Sequence, residues 1–209
     1  MTDTKTAFSI STPSPSYWAP VDLRAHVDNR GISPADESAA GAFNIWGNSF
    51  PSEHLPRAGS RVEVEGVPFE FPVSSDNGDN VQCAGQLVSV PVERYDWIYV
   101  LAAAERRAED EAALHFTDGW VDFEPLRVSD FWAAPSVFGE VSAYRTPVMH
   151  YPHHVQPGVQ AALWCQRLPV VRRAALTSIR LPRNNAVHVF AMTAVGRGEP
   201  GASGVRGRG

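Results

Sequence analysis

The chain has 209 residues, 44% hydrophobic and 20% charged, which suits one globular domain that buries roughly 70% of the surface it exposes when unfolded. A net charge of −5 excludes a broad basic surface, so nucleic acid is not an expected partner, and no run of about twenty apolar residues is present to span a membrane. The 17 Pro and 16 Gly punctuate the chain too often for long helices and favour β architecture.

Residues 1–18 are rich in Ser, Thr and Pro and read as a flexible leader. Ser11, Pro13, Ser14 and Pro15 interrupt the stretch where an export signal needs an apolar core, so a cytoplasmic protein is expected. The domain is placed at 19–195. Arg61-Val62-Glu63-Val64-Glu65 alternates with the period of a half-buried strand, and Val67-Pro68-Phe69-Glu70-Phe71 follows after one Gly. Further short strands are expected at 86–92, 96–101, 113–116, 159–166, 177–181 and 187–192, separated by turn signals such as Asn77-Gly78-Asp79-Asn80 and Arg183-Asn184-Asn185. The segment 102–114 (AAAERRAEDEAAL) is open between a short helix, which its Ala, Glu and Arg content favours, and a strand end, a charged tip and a returning strand. The tail, 196–209, has Arg197, Arg206 and Arg208 against Glu199 and is too poor in apolar residues to offset its ordering entropy. Cys83 and Cys165, in strand-like contexts with no disulfide spacing, are expected to be free buried thiols. Many short strands with frequent turns predict an all-β, two-sheet sandwich of the jelly-roll or galactose-binding-like kind.

The succession Val21-Asp22-Leu23, Asp28-Asn29-Arg30-Gly31-Ile32, Ala42-Phe43-Asn44, Gly47-Asn48-Ser49-Phe50, Gly66-Val67-Pro68-Phe69, Phe116-Thr117-Asp118-Gly119, Val128-Ser129-Asp130-Phe131-Trp132 and His188-Val189-Phe190-Ala191-Met192-Thr193 resembles one accessory-domain family. These are the galactose-binding-like, carbohydrate-binding β-sandwich modules that accompany actinobacterial glycoside hydrolases and some peptidases. The resemblance runs from about Val21 to Thr193 and implies a sandwich that binds a carbohydrate without catalysis of its own. Where such modules have a polar loop, this chain has Met149-His150-Tyr151-Pro152-His153-His154.

That histidine cluster is the most informative local feature. In an extended strand His150 and His154 would share a face, and with Glu140 they could serve as acid/base groups if the protein is an enzyme. A His-bound divalent metal would need a third ligand from Asp130, Glu140 or His188. Hydrogen bonding to backbone and water accounts for the same residues without chemistry. Trp46, Trp132, Tyr144, Tyr151 and Trp164 stand in or beside turn-rich stretches where a sugar ring could stack, and His153, Arg145 and Arg167 could supply polar contacts. Tryptophans that plug a sandwich end are the plain alternative. Asp76, Asn77, Asp79 and Asn80 suggest a structural calcium loop or an Asx turn, and Asp130 with Glu140 is the one candidate glycosidase carboxylate pair.

No organic cofactor is expected. The partner expected is a small molecule or carbohydrate, with self-association into a homo-oligomer left open. Two functions remain in view. One is a non-catalytic binding module. The other is a small intracellular enzyme that tailors or cyclises a secondary metabolite, with the His-rich loop as its acid/base.

Overall fold

The computed structural model describes residues 16–132 and 135–197. Fourteen strands follow in chain order: β1 (Ser16–Pro20), β2 (Ile32–Ser33), β3 (Phe50–Pro51), β4 (Arg61–Val64), β5 (Val67–Glu70), β6 (Val81–Gln82) and β7 (Leu87–Glu93), then β8 (Trp97–Ala104), β9 (Ala108–Phe116), β10 (Val121–Val128), β11 (Val141–Tyr151), β12 (His154–Pro169), β13 (Leu176–Arg180) and β14 (Val187–Arg197). They form an all-β sandwich. One sheet has six strands in the order β1-β14-β8-β12-β11, with β6 also on β14, and the facing sheet has four in the order β10-β9-β13-β7.

The six-stranded sheet is covered on both faces, which explains its composition. Along β8, Ile98, Val100, Ala102 and Ala104 face the four-stranded sheet, whereas Trp97, Tyr99, Leu101 and Ala103 face a second core. That second core is roofed by the β4–β5 hairpin, by Phe50 of β3 and by the loops carrying Phe43 and Phe131. Strands buried on both faces read as nearly continuous apolar runs, as in Val187–Arg197. Cys83 and Cys165 are free and sit in the two different cores, on opposite faces of this sheet.

Among the described residues, 102–114 holds no helix. Ala102 to Ala104 end β8, Glu105–Arg107 turn, and Ala108 starts β9. The returning strand does not pair with the one it leaves: β8 pairs β12 and β14, while β9 pairs β10 and β13, so the connection is an arch from one sheet to the other. Ala108, Ala112 and Leu114 point into the core between the sheets while Glu109 and Glu111 are exposed, and this period of two overrides helix propensity.

The leader expectation needs shortening, because Ser16–Pro20 is a strand paired with β14. Residues 1–15 and 198–209, which carry the rest of the leader and most of the tail, lie outside the described residues.

The Asp76–Asn80 segment is a clasp. The buried Asp79 carboxylate accepts from the backbone N–H of Gly31 (2.9 Å) and Ile32 (3.1 Å) and from Asn80 Nδ2 (3.0 Å). Gly78 has φ +122°, and a Cβ there would lie 2.0 Å from the Asn29 carbonyl oxygen, so only glycine lets the two chain segments close.

Candidate functional site

At one end of the sandwich lies a cleft of about 850 Å³, walled by Trp46, Phe131, Trp132 and Tyr151 and edged by Asn44, Asn48, Gln82, Glu105, Arg106, Asp130 and Asn185. Three segments build it. The first is the turn Asn44–Asn48, where Asn44 Oδ1 accepts from the backbone N–H of Trp46 (3.1 Å) and Asn48 (3.2 Å). Gly47 has φ +67°, and a Cβ there would lie 2.8 Å from Pro152 Cγ, so the turn packs tightly on the β11–β12 hairpin. Held this way, the turn leaves Trp46 58% exposed.

The second segment is Asp130-Phe131-Trp132. Phe131 N donates to the Ala104 carbonyl (2.9 Å) and Ala162 N donates to the Phe131 carbonyl (2.7 Å), so the segment is bonded to two strands at once. Asp130 Oδ1 accepts from Trp132 N (2.9 Å), and Phe131 packs edge-on against Phe43 with centroids 4.9 Å apart. Trp132 is 49% exposed. The third segment is the arch: Glu105 N donates to the Ala186 carbonyl (2.8 Å), and Arg106 follows in the left-handed region at φ +63°. Ala104 and Asp130 form a parallel bridge, and Glu105 and Asp130 both line the cleft. Burial pushes the Glu105 carboxyl above its ordinary range, against the opposing pull of the Arg106 guanidinium.

Of the residues proposed from sequence, Trp46, Trp132 and Tyr151 line this cleft, as does Asp130. The others lie elsewhere. Trp164 is fully buried between the sheets, with Nε1 donating to the Asp130 carbonyl (2.9 Å), and is therefore core. Tyr144 packs edge-on against Phe71 at 5.9 Å, Arg145 lies over the Trp164 ring at 5.4 Å and Arg167 over Trp97 at 4.7 Å.

Glu140 is buried away from the cleft. It accepts from Ser129 N (2.6 Å) and Phe138 N (3.0 Å), clasping the two ends of the loop that presents Asp130 and Trp132. Asp130 and Glu140 thus do not flank a common substrate space, and the glycosidase pairing expected from sequence is corrected.

The histidines do not converge either. The chain turns at Pro152-His153, so His150 on β11 and His154 on β12 belong to opposite strands, and the extended geometry that would put them on one face is absent. His154 is exposed and stacks on Tyr151 with centroids 5.0 Å apart, and His153 is exposed in the turn. His150 is 1% exposed, with Nδ1 3.0 Å from Ser33 Oγ, which is 2.6 Å from Ser49 Oγ, and Nε2 4.0 Å from the Glu53 carboxylate. Ser33 and Ser49 are also buried, so this chain of polar groups offers no accessible nucleophile. Burial lowers the His150 pKa more than Glu53 raises it, leaving a neutral ring that ties β11 to the β2–β3 layer. His150→Ala is expected to lower unfolding stability by about 2 kcal/mol, because it removes a buried ring and takes one hydrogen-bond partner from the buried Ser33 hydroxyl, which keeps Ser49. Ligand binding should stay within threefold of wild type; urea titration and calorimetry would check the two halves.

Among the described residues no three His, Cys, Asp or Glu side chains gather as a metal ligand set, and the Asp79 carboxylate is already engaged with backbone N–H groups. No described helix is long and apolar enough to cross a membrane.

Sequence reasoning missed Glu105, Arg106, Asn48 and Gln82 as members of the site. Glu105 and Arg106 were hidden because the arch that brings them beside Asp130 is a tertiary pairing with no local signature. Asn44 and Asn48 could have been found from their spacing about Gly47, which marks a tight asparagine-braced turn.

Residues 17–197, nearly all of the described chain, match a family described as an AziU2-like beta-sandwich domain. No curated protein matches the chain.

Proposed function

This chain belongs to the AziU2-like beta-sandwich domain family, and we propose that it binds a sugar or sugar-like small molecule in the cleft between Trp46 and Trp132. The observation that carries this reading is the pair of half-exposed indoles facing one concavity edged by amides and carboxylates. Exposed indole in a rigid loop costs free energy to keep in water, and a ring with one apolar face recovers it while its hydroxyls reach the polar edge. The resemblance to galactose-binding-like modules supports the same class of ligand.

Titration calorimetry and tryptophan fluorescence with neutral, acidic and amino sugars at millimolar concentration test the reading. At least one class should bind saturably with quenching or a blue shift. Uniform silence across all three classes would sink it.

A second reading is favoured by one observation, the raised carboxyl of Glu105 in the cleft wall. A carboxyl in the cleft wall that burial makes hold its proton more tightly than usual can deliver it to a bound molecule, as a tailoring or cyclising enzyme of secondary-metabolite biosynthesis would need. In that case Glu105 takes the role that the His-rich loop was expected to fill. The two readings separate on the ligand recovered from the same experiment: a pure binding protein returns it with unchanged mass and unchanged NMR spectrum, so that an isomerising cyclisation is also seen.

A further inference from the structure

Three features of the cleft restrict what its ligand carries. The first is a donor with nothing to donate to. Asn44 is 8% exposed, and its Oδ1 is oriented by the N–H groups of Trp46 and Asn48, so its Nδ2 is the free end; that atom has no hydrogen-bond partner among the described residues, in a side chain that lines the cleft. A buried N–H of this kind calls for an acceptor oxygen on the molecule that fills the cleft. The second feature is the pair of carboxylates. Asp130 has one oxygen engaged by Trp132 N, and no described residue hydrogen-bonds to the Glu105 carboxylate, so acceptor capacity stands in the same wall. The third is the indole pair, since an aromatic face attracts a cation as well as an apolar ring face. Arg106 is the one positive group in the lining, exposed and directly beside Glu105, so the wall keeps a net negative charge.

We propose that the ligand is an amine-bearing, hydroxylated molecule of amino-sugar or amino-polyol type. Its ammonium sits against the Glu105 carboxylate, with Asp130 adding negative charge to the same cleft lining, and a hydroxyl oxygen accepts from Asn44 Nδ2. This rests on the reading that the cleft binds a sugar-like ligand and adds the sign of its charge. A carboxylate-bearing ligand would meet two like charges with only Arg106 to offset them. A neutral one would leave the Glu105 carboxylate without a strong donor.

Four probes that share one ring test the proposal by calorimetry at pH 7 and low salt: D-glucosamine, D-glucose, N-acetyl-D-glucosamine and D-glucuronate. Glucosamine should bind about tenfold or more tightly than glucose, the advantage should vanish on N-acetylation, and glucuronate should bind weakest; the advantage should also shrink as salt is added. Glu105→Gln should remove about tenfold from glucosamine and leave glucose unchanged. Arg106→Asn, chosen because Asn tolerates the left-handed backbone at this position, should strengthen glucosamine several-fold. Loss of a merely structural group would not move the two variants in opposite directions. Equal binding of charged and neutral probes, or a preference for glucuronate, would overturn the charge assignment while the cleft reading stood. Failure of all four to bind or to alter tryptophan fluorescence would overturn both.

Discussion

Replacing Trp46 and Trp132 together by Ala is expected to abolish measurable ligand binding while the protein remains folded. Each indole offers one face to the cleft, and losing two such faces removes about 3 kcal/mol, roughly a hundredfold in affinity. A ligand that binds in the millimolar range would then fall below detection. The fold should not notice, because both side chains are half-exposed already and the backbone around them is held by other groups. Asn44 and Gly47 shape the first loop, and the Ala104 carbonyl, Asp130 Oδ1 and Glu140 hold the second. The melting temperature should therefore change by less than about 2 °C. Trp120→Ala is the control, since Trp120 is 64% exposed and lies outside the cleft lining. Binding by the double variant within threefold of wild type would show that the cleft is not where the ligand sits.

How far the sequence could be read depended on what each strand touches. β4 was legible because one of its faces is wet, so its residues alternate up to the Glu-Gly turn, after which Val67, Pro68 and Phe69 of β5 form a short buried run. β8 and β14 were legible for the opposite reason, since both faces are covered and their residues are apolar almost throughout, as is the buried stretch 161–165 of β12. β1, β10 and β11 were missed. All three are edge strands. An edge tolerates Pro125 and Pro147 and keeps Phe123 exposed, so neither periodicity nor apolar run marks it. The same logic separates the site residues. Trp46 and Trp132 announced themselves as large aromatics amid turn residues, whereas Trp164 carried the same signal and proved to be core, because local composition does not say which end of a strand is capped. His150 and His154 misled because a turn of two residues, Pro152 and His153, reverses the chain between them. Glu105 was invisible as a site residue, since only the crossing from one sheet to the other brings it beside Asp130.

A second large effect is expected from the buried relay in which Asp79 and His188, joined through Asn80, have opposite pH dependences that nearly cancel. Asn80 Nδ2 donates to Asp79 Oδ1 (3.0 Å) and to Asn29, which leaves Asn80 Oδ1 as the acceptor for His188 Nδ1 at 2.9 Å. His188 is therefore neutral with its proton on Nδ1, its ring lying 4.4 Å from Phe43 and its Nε2 without a partner among the described residues. Burial lowers its pKa from 6.5 to about 4. Burial also raises the pKa of Asp79 from 3.8 to about 6, outweighing the three hydrogen bonds it accepts. The signs oppose each other. For His188 the unfolded chain binds the proton first on acidification, so its contribution is full above pH 6.5 and is lost as pH falls through about 4. For Asp79 the folded chain binds the proton first, so its contribution is full below pH 3.8 and is lost as pH rises through about 6. Each amounts to about 3 kcal/mol over its window, so between pH 7 and 4 the pair leaves the stability nearly unchanged. Removing one partner exposes the other. Asp79→Asn should make the protein lose about 3 kcal/mol relative to wild type on going from pH 7 to pH 4, and His188→Gln should make it gain about as much over the same interval. Urea unfolding at pH 7, 5.5 and 4 reads the slopes, which are compared with wild type so that the constant cost of each substitution drops out. Two variants whose stabilities run parallel to wild type across that range would show that neither group titrates as its burial requires.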